Sequence, residues 1–247
     1  MREIPDVIIL SGGFGLRLRG VIGATPKPMA RIAGRPFMEL LLRQLKRHGF
    51  SRVILSVGYK QEVIREHFGE KAFGLQLIYS IESSPLGTGG ALHEAARHIR
   101  TKTALVMNGD SYTDADLKCL VRDHARNKAD VTVVVIPETR SDAGSVALDH
   151  NGRIKKFAEK RLLPGSRCLS AGIYILNKNL VGTIPTVAKI SLEEQLFPAW
   201  LADGKSIAAF LFEGPCIDIG TPERYHKAQD VLEKVESGSV LESDGGS

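Results

Sequence analysis

Short apolar runs of strand length alternate with stretches of helical spacing through the first half of the chain, and no other feature limits the possible folds as much. Val7–Leu10, Val53–Val57, Leu75–Tyr79 and Ala104–Met107 are the strand-like runs. Between and after them, Phe37–His48 places Phe37, Leu40, Leu41 and Leu45 one helical turn apart, and Gly90–Ile99 and Leu117–Asn127 read the same way. Parallel strands need a crossover, usually a helix. The alternation therefore implies an α/β, doubly wound, mainly parallel sheet. Further runs follow at Val131–Ile136, Ser145–Leu148, Ile173–Leu176 and Ala208–Phe212 with fewer helices between them, so the second half reads as a β-rich insertion on the same core. Ser191 with Glu194 fits a capping box before "QLFPAWLADG". Thr221–Pro222 fits an N-cap followed by proline at the first helical position, opening a C-terminal helix.

With 247 residues, no low-complexity linker and no internal repeat, the chain reads as a single domain over 1–235. The polar, glycine-rich stretch 236–247, "ESGSVLESDGGS", reads as a disordered tail. The net charge of +5 is spread along the chain, which suits an enzyme of small polyanions better than a nucleic-acid binder. Cys119, Cys168 and Cys216 are far apart and form no CxxC pair, which points to a reducing, cytoplasmic setting. No apolar stretch approaches the ~18 residues of a membrane span, so no membrane insertion is expected. Arg2, Glu3 and Asp6 precede only four strongly apolar residues, unlike a signal peptide. The seven histidines form no HxxxH or HxH pair; His48, His98 and His124 fall near helix ends and read as surface residues. A homo-oligomer is compatible with the sequence.

Ser11-Gly12-Gly13-Phe14-Gly15 directly follows the first strand-like run. Glycines let the backbone turn sharply and bring N–H groups close to an oxyanion. The chain has no GxxxxGK[ST] loop. A dinucleotide GxGxxG fails at Leu18, and "SVGYK" ends the second strand without the acid that would hold a ribose hydroxyl, which argues against an NAD-dependent oxidoreductase. Arg17 follows the glycines, and Lys27 is held between Pro26 and Pro28. Two fixed cations beside a glycine loop suit a triphosphate. Taken alone, the glycines also fit a ligand-free turn, and the cations fit surface pairs.

"LSGGFGLRLRGVIGATPKPM" resembles the signature of the sugar-1-phosphate nucleotidyltransferases, in which a Gly-Gly-x-Gly-x-Arg-Leu loop leads to a Pro-Lys. The likeness extends to about residue 230. It implies a Rossmann-like doubly wound, mainly parallel (mixed) sheet with a small β-rich sugar-binding insertion, of the nucleotide-diphospho-sugar transferase type. It also implies a reaction joining a nucleoside triphosphate to a sugar 1-phosphate, with loss of pyrophosphate. The resemblance gives Arg17 and Lys27 catalytic roles and puts Leu10, Gly12, Gly13 and Gly15 on the nucleotide. Ser11 stands where alanine or cysteine is common, and Leu16 where threonine is common.

Further segments carry the same likeness. In "IESSPLGTGGAL", Glu82, Pro85, Leu86, Gly87 and Thr88 would surround the base and ribose, Glu82 accepting from guanine's N1–H and amine. Gly87, Gly89 and Gly90 precede a helix, so open backbone groups are expected there. "ALVMNGDSY" ends a strand in Asn108-Gly109-Asp110, where a carboxylate faces the ligand crevice. Alone, Asp110 also fits a turn or a cap. With Asp218 of "CIDIGTPERYHKA" it resembles the family's metal pair, implying Mg²⁺ as cofactor. The family's sugar-phosphate contacts map to Asn108, Gly144, Glu159, Lys160 and Gly172. Ser170 replaces an asparagine there, and Ala143 an aromatic. A non-catalytic nucleotide-sugar-binding protein on this fold would be marked by loss of Arg17, Lys27, Asp110 or Asp218, and all four are present. "PLGTGGAL", "SLEEQLFP" and "CIDIGTPE" most resemble the short D-glycero-α-D-manno-heptose 1-phosphate guanylyltransferases of capsule and surface-polysaccharide synthesis, implying GTP and that sugar 1-phosphate as substrates. A mannose- or glucose-1-phosphate nucleotidyltransferase is the alternative.

Overall fold

The computed structural model describes residues 3–138, 144–159, 161–164, 166–185 and 189–236. The tail expected to be disordered lies outside the described residues from Ser237 onward, and Glu236 still belongs to a helix. Among the described residues, nine strands build one large sheet together with the two-residue edge Lys71–Ala72. They are β1 (Asp6–Ser11), β2 (Arg52–Val57), β3 (Leu75–Ile81), β4 (Thr103–Asn108), β5 (Val131–Ile136), β6 (Ser145–Leu148), β7 (Ile154–Ala158), β8 (Cys168–Asn177) and β9 (Ile207–Leu211). β1 and β5 are buried along their whole length, which is why they read as continuous apolar runs rather than alternating ones.

β1 pairs in parallel with β2 on one side and β4 on the other, with Ile9 beside both Leu55 and Met107. β2 pairs in parallel with β3. The chain therefore winds outward from β1 to β3 and returns across β1 to β4. Strand order switches there, and the crevice lies off the carboxyl ends of β1 and β4. β8 makes the sheet mixed. Ile173–Asn177 run antiparallel to β4, while Cys168 and Leu169 pair with β6. On its other edge β8 follows β5, with a register break between Ser170 and Tyr174. Gly172 sits in that break with φ +72°, a left-handed conformation that glycine adopts without strain. β6, β7 and the first half of β8 are the β-rich insertion, built as an extension of the same sheet.

The helices cover both faces. α1 (Phe37–Arg47), α2 (Gln61–Phe68), α4 (Leu117–Asn127) and α6 (Pro222–Glu236) pack with Ile9, Leu55 and Met107 on one face. α3 (Gly87–Ala96) and α5 (Phe197–Ala202) pack with Ile8, Ile54 and Val106 on the other. The helix expected from Gly90 begins at Gly87. Among the described residues, no helix is long and apolar enough to cross a membrane.

Two local expectations change. Ser191 Oγ accepts from Glu194 N at 3.1 Å, but the return bond runs from Ser191 N to Gln195 Oε1 at 2.8 Å. Leu192–Leu196 is a π turn, one residue longer per turn than an α-helix, so residue 195 comes round in place of 194. His124, expected at the surface, is buried: its Nδ1 lies 2.8 Å from Thr132 Oγ1 and its Nε2 3.3 Å from Asn177 Oδ1. A helix end placed over strands is covered, and its position in the sequence alone does not show this.

Candidate functional site

β1 ends at Ser11, and Gly12–Gly15 carry the chain out over the crevice. Gly15 has φ +60° and starts a 3₁₀ turn, Leu16–Leu18. A second 3₁₀ turn, Lys27–Met29, follows Pro26. The two turns touch: a Cβ on Gly15 would lie 3.1 Å from Lys27 Cβ. Lys27 is thereby aimed across the crevice, with Nζ 2.5 Å from Asp110 Oδ2. Burial pushes the Asp110 carboxyl upward, but the Lys27 ammonium, its hydrogen bond and the Ser111 hydroxyl outweigh it and leave the pKa lowered. Asp110 is thus an anion held by a cation.

Glu82 faces the glycine loop from the end of β3. A Cβ on Gly12 would come within 2.0 Å of Glu82 Oε1, so any side chain there would push that carboxylate from its place. Ser56 Oγ donates to Glu82 Oε1 at 3.1 Å, and Leu86 N to Oε2 at 3.3 Å. Burial raises the Glu82 pKa, and these two donors offset it only in part.

The entry to α3 differs from expectation. Gly87 has φ +69°, and a Cβ there would sit 2.5 Å from Ile190 O. Gly89 N donates to Ile190 O at 2.9 Å, Ile190 N to Leu86 O at 2.9 Å, and Leu192 N to Thr88 Oγ1 at 2.8 Å. The glycines let the 190–192 segment close on the helix start, so the Gly89 N–H is not open to a ligand. Thr88 still lines the crevice, although its hydroxyl is engaged.

On the β8 side, a Cβ on Gly172 would meet Asn108 Nδ2 at 2.6 Å. A Cβ on Gly144 would meet Glu193 Oε2 at 3.0 Å. Glu159 Oε2 accepts from Ser191 Oγ at 2.8 Å. Ser170, the asparagine replacement, donates to Glu193 Oε1 at 2.7 Å, and Tyr174 Oη donates to the same oxygen. Burial raises the Glu193 pKa, the two hydroxyls lower it, and the nearby Glu159 and Asp110 charges raise it again. Glu193, buried beside Gly144 and Ser170, is a residue that sequence reading missed, because it lay inside what looked like a surface capping box. Lys189 is another: it is exposed at the cleft, and its only signal was one cation before "ISLEEQ".

A cleft of about 500 Å³ gathers Leu10, Gly12, Gly13, Gly15, Arg17 and Lys27 with Glu82, Pro85, Gly87 and Thr88, and with Asn108 and Asp110. Gly144, Glu159, Gly172 and Asp218 lie outside its lining, although Gly220 belongs to it. Lys160 lies outside the described residues. Asp218 is brought to Asp110 by a small ladder. Cys216–Asp218 runs antiparallel to Ser111–Thr113 with Asp218 opposite Ser111, and Ile219 N donates to Asp110 O at 3.0 Å. Asp218 itself is held by Arg224, whose Nη1 is 2.8 Å from Oδ1 and 3.0 Å from Oδ2. Among the described residues, no cluster of three or more His, Cys, Asp or Glu side chains could hold a metal. Asp110 lines the cleft and the ladder sets Asp218 next to it in the fold. Two carboxylates suit Mg²⁺, which takes few protein ligands and completes its shell with phosphates and water.

A doubly wound sheet with a cationic glycine loop, a carboxylate against that loop and two aspartates joined by a short ladder defines a nucleotidyltransferase. The chain belongs to the nucleotidyl transferase family, whose model matches residues 6–235. It is 35% identical to the D-glycero-alpha-D-manno-heptose 1-phosphate guanylyltransferase of Aneurinibacillus thermoaerophilus over 92% of this chain and 98% of that protein. It is 39% identical to the mannose-1-phosphate guanylyltransferase of Mycobacterium tuberculosis over 89% of this chain, but spans only 62% of that longer protein. Among solved structures, HddC from Yersinia pseudotuberculosis is 32% identical with a TM-score of 0.82, covering 93% of this chain and 100% of that one. Complexed with GMP-PN, the same protein matches with a TM-score of 0.80.

Proposed function

We propose that the chain transfers GMP from GTP to D-glycero-α-D-manno-heptose 1-phosphate, giving GDP-heptose and pyrophosphate for capsule or surface-polysaccharide synthesis in the cytoplasm. The observation that carries this reading is the convergence of Lys27, Asp110 and Glu82 on one glycine-loop cleft. The near-full-length match to a heptose 1-phosphate guanylyltransferase supports the sugar and the base. The 39% identity to a mannose-1-phosphate guanylyltransferase favours mannose 1-phosphate as the second reading.

The attacking group is a phosphate oxyanion, so no general base is needed. The work left to the protein is alignment and charge neutralisation. Backbone N–H groups of Gly12–Gly15 approach the triphosphate, and Arg17 and Lys27 neutralise the departing pyrophosphate. Glu82 accepts from guanine N1–H and the amine. Lys160 holds the attacking phosphate, while Asn108, Gly144, Glu159 and Gly172 surround the sugar. Asp110 and Asp218 would hold Mg²⁺, which would supply charge neutralisation and polarisation to the bound phosphates.

Pyrophosphate release tests the reading. Four nucleoside triphosphates are to be offered against heptose, mannose and glucose 1-phosphates, with GTP and the heptose expected to give the highest kcat/KM. Lys27→Ala and Asp110→Asn are each expected to lower kcat on the order of 10²–10³-fold with circular dichroism unchanged. Preference for another triphosphate would remove the guanylyl assignment. Near-native turnover in both variants would remove the site.

A further inference from the structure

Each carboxylate of the aspartate pair already carries a cation of the chain's own. Lys27 reaches Asp110 from the glycine-loop wall, and Arg224 reaches Asp218 from the first turns of α6. Both pairs are partly buried, with side-chain exposures of 16% and 38% for Lys27 and Asp110 and 23% and 17% for Arg224 and Asp218. Arg224 offers one nitrogen to both carboxylate oxygens, and Gly220 N adds a bond to Oδ1 at 2.9 Å, which fixes the rotamer of Asp218. The helix that carries Arg224 is itself tied down. Tyr225 Oη and Gln229 Nε2 donate to Arg31 O at 2.6 and 2.8 Å, and Ala33 N donates to Gln229 Oε1 at 2.8 Å. These bonds grip the turn that follows Lys27, so one helix braces both walls.

We propose that Arg224 is a positioning residue for the reaction. It holds Asp218 and, with Lys27 on Asp110, neutralises the carboxylate pair in the free protein, so that a bare divalent cation binds weakly and enters with the triphosphate. The inference rests on Asp110 and Asp218 being the metal-holding pair. Neutralised carboxylates attract a dication less than free ones do. An arriving triphosphate gives Lys27 a new partner beside the loop that already cradles it and brings anionic oxygens to the metal. Metal and triphosphate then strengthen each other's binding, as linkage requires.

The test counts bound Mn²⁺ by electron paramagnetic resonance on the full chain, first alone and then with GTP and no sugar phosphate. Arg224→Ala is expected to bind bare Mn²⁺ on the order of tenfold more tightly than the native protein. The gap should narrow when GTP is present. Arg224→Met, which keeps the side-chain bulk, should behave as Arg224→Ala does. Gln229→Ala, which leaves Arg224 on Asp218 and Tyr225 on Arg31, should change Mn²⁺ affinity much less than either Arg224 variant does. Equal or weaker Mn²⁺ binding in both Arg224 variants would overturn the inference alone. Unchanged Mn²⁺ binding in Asp218→Asn would overturn the metal pair and the inference with it.

Discussion

Leu16 opens the 3₁₀ turn at the cleft mouth with 64% of its surface exposed. Its carbonyl accepts the Arg19 N–H, so the turn depends on its backbone and not on its side chain. The departure from threonine therefore concerns the ligand and not the fold. Leu16→Thr is expected to change stability by less than about 0.5 kcal/mol, as exposed substitutions do. A restored hydroxyl facing a phosphate should lower KM for GTP roughly three- to tenfold, the worth of one net hydrogen bond. Steady-state kinetics beside a thermal melt would check both; an unchanged KM means that position 16 makes no phosphate contact. At this scale the sequence was informative wherever a residue type has few alternative uses. The glycine loop was legible as a turn at a strand end; that Gly12 makes room for Glu82 and Gly15 lies against Lys27 was not. Lys189 and Glu193 were not legible either, because a lone lysine and a glutamate in a polar stretch look like ordinary surface until the fold sets the one at the cleft and buries the other's carboxylate against Ser170 and Tyr174.

His124 shows how an element end becomes interior. α4 lays it against β5 and β8, where Thr132 and Asn177 occupy both ring nitrogens. Burial lowers its pKa below the ordinary 6.5, against the raising effects of Asn177, Asp123 and Asp130. The unfolded chain therefore takes up the proton first as pH falls. Stability attributable to this group is full above about pH 6.5 and declines below it, by at most about 1.4 kcal/mol per pH unit. Urea midpoints measured from pH 7.5 down to 5.5 should fall, and His124→Gln should flatten that slope while lowering stability at pH 7.5. His98, also lowered by burial, contributes the residual slope. A slope equal to the native one in His124→Gln would show that other groups set the pH dependence. The long buried strands were readable because an apolar run such as Val131–Ile136 has one sensible use. The ladder between Ser111–Thr113 and Cys216–Asp218 was not, because three-residue strands carry little local pattern and their partners lie about a hundred residues apart. That ladder is what joins Asp110 to Asp218. Their closeness in the fold was implied by resemblance and not by any periodicity.

On the scale of the whole molecule, the sheet's switch point gathers three cations, Arg17, Lys27 and Lys189, at a cleft where Asp110 is already paired with Lys27. Both substrates of the proposed reaction are anions, so the long-range field favours their approach. Salt screens that field over about 10 Å at 0.1 M, whereas ion pairs formed inside a closed cleft are screened much less. Raising ionic strength from about 0.05 to about 0.5 M should therefore raise KM for GTP several-fold and change kcat less than twofold. Arg17 is exposed, with its charge at the mouth of the cleft, so Arg17→Gln should reduce the salt dependence of KM as well as the rate. Lys27 sits deeper and is paired with Asp110, so Lys27→Gln should lower kcat while leaving the salt dependence close to native. Steady-state kinetics of the native protein and both variants across that salt range separate the two roles. If the native KM does not move with salt, recognition is set by short-range contacts within the cleft, and the net charge of +5 has no part in capture.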